Sequence, residues 1–199
     1  MPPRVAPGSR QDLGRVNHAI AAVLGAAMGG GRPNVFTTLG RHRRLFRRWL
    51  VFAGALMPGG RLPRADSELL ILRVAHRTGC AYEWHHHERL GRIAGLTPED
   101  VTRVRSGPDA PGWTARRAVL LRAADELLDG HAISDATWAA LEAELDERQR
   151  IELPLLVGHY AMLAGALNAL QVQPDAPPAG SPSPFARVVQ AAARRRGAA

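Results

Sequence analysis

Between Pro63 and Gly95 the sequence carries apolar residues at helical spacing with one interruption, Gly79. Leu69, Leu70, Ile71, Leu72 and Val74 mark a helix over 64–78, and a second helix runs over 80–94. A turn this short at a glycine lets the second helix fold back on the first. The expectation is a central antiparallel helix pair that the rest of the chain must cover.

The flanks repeat the same grammar. Leu13, Val16, Ile20, Val23 and Leu24 stripe 12–28, which stops at Gly29-Gly30-Gly31. Asn34 can cap a short helix, and 42–57 continues helically to Pro58-Gly59-Gly60. Thr97-Pro98-Glu99-Asp100 combines a cap, a first-turn proline and early acids. Further helices are expected over 114–128, 135–145 and 146–170, with Pro154 kinking or breaking the last. No segment alternates with period two for long enough to make a strand, and aromatics are only 5% of the chain. The expected fold is all-α. One helical domain over 12–174 lies between a flexible N-terminus, 1–11, and a Pro/Ala-rich linker with a basic tail, 175–199.

The formal net charge of +8 raises nucleic acid as a partner. Its densest group is Arg41, Arg43, Arg44, Arg47 and Arg48, with a second group at Arg194-Arg195-Arg196. Around the first group Leu45, Phe46, Trp49 and Leu50 recur at helical spacing, so the arginines read as the solvated face of a core helix. No nucleic-acid-binding motif accompanies them, and nucleic acid is not expected as a partner. The N-terminal residues lack a secretory pattern, and no run approaches the roughly 18–20 apolar residues of a spanning helix. A lone cysteine, Cys80, excludes an intrachain disulfide. These features suggest a cytoplasmic protein with no membrane partner.

Ionisable groups crowd between Glu68 and Glu88. Cys80, Glu83 and His87 are spaced by three and then four residues, which puts them on one helix face. The turn at Gly79 brings Glu68 toward the same face. A thiol, two carboxylates and an imidazole so placed push one another's pKa values apart and suit proton transfer. His85, His86 and His87 diverge by about 100° per residue and cannot all hold one ion. Neither a metal nor any other cofactor is expected. Cys80 can pack as a small hydrophobe, or its thiolate can be stabilised at the helix start.

The text around these residues resembles the carboxymuconolactone decarboxylase/alkylhydroperoxidase D-like superfamily over roughly 34–174. The resemblance lies in Leu62-Pro63-Arg64, in Glu68-Leu69-Leu70-Ile71-Leu72-Arg73, in Glu68 and His87 flanking Cys80, and in the later Ile133-Ser134-Asp135 and Leu156-Val157-Gly158-His159-Tyr160. It implies the alkylhydroperoxidase D-like helical fold, a homo-oligomer, and a site near a subunit interface. The peroxidase-like branch uses a Cys-x-x-Cys pair; here Glu83 stands at the second position, so that internal disulfide cannot form. The decarboxylase-like branch places Glu-x-x-x-His on this helix, matching Glu83 and His87. The resemblance therefore implies a cofactor-free decarboxylase-like enzyme acting on a small carboxylated ring or lactone. Glu68, Cys80, Glu83 and His87 are its candidate catalytic residues; Tyr82 and His86 would line the pocket, with Cys80 in its wall. Arg73 or Arg89 would meet the substrate carboxylate. The alternatives are a thiol-dependent peroxidase using Cys80 and a non-catalytic oligomeric scaffold.

Overall fold

The computed structural model describes residues 2–28 and 30–176. Nine helices run in order through them: α1 Arg10–Ala27, α2 Asn34–Leu39, α3 Arg43–Leu56, α4 Arg64–Arg77, α5 Ala81–Ile93, α6 Pro98–Ser106, α7 Ala115–Gly130, α8 Asp135–Glu144 and α9 Glu147–Leu170. No strand occurs among the described residues.

Every residue of α4 from Asp66 to Ala75 is buried, because α5, α6, α7 and α9 enclose it. Such all-round burial marks the innermost helix of the domain. Its charged residues survive there by pairing: Arg73 forks onto Asp125 at 2.7 and 2.8 Å, and Arg116 reaches Asp66 at 2.8 Å. Gly79, at a φ of +62°, makes the turn into α5. The two helices are antiparallel, with His76 against Trp84 near the turn and Glu68 against His87 far from it. At Gly91 a Cβ would meet Leu96 at 3.0 Å, closer than most such contacts, and would only touch Leu72 and Glu68 of α4, at 3.5 and 3.7 Å.

Several expectations are corrected. The N-terminal segment, expected to be flexible, docks: Arg4 N donates to the Leu170 carbonyl and Gly8 N to that of Thr37, both at 3.0 Å. Carbonyls at the open end of α9 provide one of these acceptors. Asn34 does not cap α2. Asp175, 141 positions away, accepts from Asn34 N at 2.7 Å, so part of the expected linker closes the domain. At Pro154, where a kink or a break was expected, helix α9 does not break. The arginines of 41–48 are all exposed, as expected of a solvated face, and Arg43 and Arg47 in addition reach α1, donating to the Gln11 and Asp12 carbonyls and to Asn17. The rest of the expected linker and basic tail, 177–199, lies outside the described residues.

Candidate active site

Helices α4, α5 and α9, with α3 and the start of α2, surround a cavity of about 490 Å3. Most of its wall is apolar, including Val35, Phe36, Trp49, Leu163 and Leu167. The polar groups converge from three helices: Arg64 of α4, Tyr82, Glu83, His86 and His87 of α5, and His159 and Tyr160 of α9. An apolar cavity with a few converging polar groups is the usual form of a small-molecule site.

His87 and Glu68 meet through a 2.7 Å contact between Nδ1 and Oε2. Glu68 is completely buried, and Arg64 Nη2 lies 2.6 Å from its other oxygen in an ion pair outside hydrogen-bond angles. Against a carboxylate so paired, His87 Nδ1 carries the proton, which leaves Nε2 as the free ring nitrogen. The edge of His87 meets Tyr160, ring centroids 5.2 Å apart.

Glu83 behaves differently. It is 2% exposed, and neither carboxyl oxygen has a hydrogen-bond partner. Burial raises its pKa to about 8, so the side chain is a neutral acid at pH 7. His86 is its counterpart among the bases. Burial, followed by the charges of His87, Arg89 and His85, pushes its imidazole down to about 3. Tyr82 donates to Asp175 at 2.8 Å and accepts from Val35 N, which ties α5 to α2 and to the chain beyond α9.

Of the residues expected in the site, Tyr82, Glu83, His86 and His87 line the cavity and Glu68 stands directly behind His87. Cys80 does not reach the wall. Its side chain is 1% exposed within the main hydrophobic core, and burial, then the neighbouring Glu83, pushes its thiol up to about 11. A helix start was the favourable case for a thiolate; desolvation overrides it here. Arg73, committed to Asp125, and Arg89, which faces away, do not line this cavity. Arg64 does, and its position four residues before Glu68 was the available signal. Tyr160 and His159 lie far along the sequence; the resemblance took in their segment but assigned them no role. Among the described residues no three potential ligands form a metal site.

Residues 43–126, from the start of α3 into α7, match the model of the carboxymuconolactone decarboxylase family. No curated protein matches the chain. Solved structures do. A peroxidase-related protein from Ralstonia eutropha JMP134, with the alkylhydroperoxidase AhpD core, superposes with a TM-score of 0.79 at 19% identity, covering 88% of this chain and 94% of its own. A peroxidase-related protein from Silicibacter sp. TM1040 gives 0.74 at 17% identity, over 82% and 87%. The debrominase Bmp8, solved as a cysteine-to-alanine variant with 2,3,4-tribromopyrrole, gives 0.72 at 14% identity, over 97% and 98%. These structures share the fold. The family match spans the whole α4–α5 pair that builds the cavity, so over residues 43–126 the chain is similar to the carboxymuconolactone decarboxylase family, on a fold shared with the alkylhydroperoxidase AhpD core.

Proposed function

We propose that the protein is a cofactor-free, decarboxylase-like enzyme acting on a small carboxylated ring or lactone. One observation carries this reading: a neutral, buried Glu83 and a Glu68-held His87 share an apolar cavity from which the thiol is absent. Two titratable groups whose surroundings push them to different protonation states provide an acid and a base side by side.

In the reaction, Arg64 attracts the substrate carboxylate into the cavity. The bond between that carboxylate and the ring breaks, carbon dioxide leaves, and the bonding electron pair moves into the conjugated lactone. Glu83 delivers the proton that replaces the carboxylate on carbon. His87, oriented by Glu68, then takes up a proton from solvent at Nε2 and passes it to the Glu83 carboxylate, which restores the acid. The apolar wall favours the step because a delocalised anion loses less solvation there than a localised carboxylate does. Incubation with a panel of carboxylated lactones in deuterated water tests this. Release of carbon dioxide with one deuterium on the vacated carbon is expected; a panel without turnover removes the reading.

The thiol-dependent alternative fares worse on geometry. With a thiol pushed up to about 11, Cys80 is expected to react with hydrogen peroxide no faster than an ordinary protein thiol at neutral pH. Sulfenic acid trapping followed by intact mass checks this, and fast, saturable oxidation would restore the peroxidase.

The reading includes a homo-oligomer. Helix α9 has a mean hydropathy of 1.4 over an 18-residue window of which only 44% is buried. Its outer face carries Ile151, Leu155, Gly158, Met162 and Gly165 without a charge, and Phe52 of α3 lies beside it against His159. A Cβ at either glycine would meet nothing, so bulky and bare positions alternate in a way that a second α9 can complement. Light scattering should find an oligomer that Leu155→Glu dissociates. A monomeric wild type rejects this interface.

A further inference from the structure

Beside the inner cavity lies a wider one of about 1020 Å3. The end of α1, the segment leading into α2, the outer side of α5 and Asp175 enclose it. Met28, His86 and Ile93 line both cavities, so the two spaces adjoin at these residues.

The chemistry changes across that junction. The inner wall is mostly apolar, whereas Arg32, Arg89 and Arg92 line the outer one. The outer carboxylates are already engaged. Glu88 pairs with Arg92 at 2.6 Å, and Asp175 accepts from Asn34 N and from the Tyr82 hydroxyl. Arg89 donates to the Met28 carbonyl at 2.8 Å, and Arg32 has no hydrogen bond or ion pair among the described residues. Guanidinium donors therefore remain for a ligand, and their planar fork matches carboxylate or phosphate oxygens. At the junction, His86 Nε2 is buried without a partner. A neutral imidazole there offers a polar contact without carrying a charge of its own.

We propose that the two cavities form one elongated site for an organic anion, with its acidic group on Arg32 and Arg89 and its apolar body reaching past His86 into the inner cavity. This names the substrate class of the site described above and rests on that reading for the reacting end alone. The natural substrate thus carries an acidic group remote from the one it loses.

Trp49 lines the inner cavity, so its fluorescence reports an apolar body arriving there. Octanoate and 1-octanol serve as probes, with Trp49→Phe assigning the signal. Octanoate is expected to saturate the signal at a concentration about tenfold below that of 1-octanol. In the Arg32→Gln/Arg89→Gln double variant the two probes should bind within about threefold of one another. Should the double variant fail to fold, Arg32→Gln alone replaces an exposed side chain and should weaken octanoate about threefold or more. Equal affinities in the wild type overturn the proposal. So does an octanoate preference that survives the outer substitutions and vanishes in Arg64→Gln, which would put the anion at the inner end. Because binding is read without turnover, a failed decarboxylation leaves this result standing. Turnover without an octanoate preference overturns this proposal alone.

Discussion

Replacing His87 with Asn is expected to lower kcat by about 10²–10⁴-fold, the range for loss of a positioned acid–base group. The argument runs through Glu68. Its carboxylate holds His87 Nδ1 at 2.7 Å and so aims the other ring nitrogen at the cavity. Asparagine can retain a hydrogen bond to Glu68 but has no imidazole to exchange a proton. KM should change much less than kcat, because the apolar wall that holds the substrate body is untouched. Cys80→Ala provides the contrast: the thiol lies in the core, and turnover per folded molecule should stay within about twofold of wild type. Steady-state kinetics on the lactone that releases carbon dioxide decides both. A variant at His87 that keeps its turnover, or one at Cys80 that loses it, reverses the assignment of roles.

The second large effect is on stability and belongs to Glu83. In the unfolded chain this carboxyl titrates near 4.5; in the fold, burial keeps it protonated up to about 8. Between those values the native state holds a proton that the unfolded state has released. Unfolding therefore releases a proton, and stability falls as pH rises through the window. The stabilising contribution is fully present below about 4.5 and is lost by about 8, amounting to about 5 kcal/mol. Glu83→Gln keeps the shape and removes the titration. Urea unfolding across the window should show the variant gaining on the wild type with each rise in pH, the difference levelling off above about pH 8. His86 and His159, both pushed down by burial, act in the opposite sense: their contribution is lost as pH falls below about 6.5. They are common to both proteins and cancel in the difference. Parallel profiles would mean that Glu83 ionises in the fold and is not the acid.

Local chemistry made much of the site legible in advance. The i, i+4 spacing of Glu83 and His87 belongs to any α-helix, and Gly79 turns the chain so that Glu68 comes back onto His87. Both features depend on neighbours in sequence, and so does the all-helical architecture with its apolar stripes, caps and glycine stops.

Burial is a different kind of quantity. Cys80 sits at a helix start that favours a thiolate when solvated, yet the core closes over it and raises its pKa. Glu83 becomes a neutral acid because no donor from another helix reaches its oxygens. Arg64, not Arg73 or Arg89, is the cavity's cation, because the packing of the helices places Arg64 in its wall and the other two elsewhere. Asp175 caps α2 from 141 positions away. The sequence by itself determined the helices and the residues that share a face of α5. Only the tertiary structure decided which of those residues are solvated, paired or stranded. Desolvation and pairing depend on which distant segments pack around a group, and they set its charge.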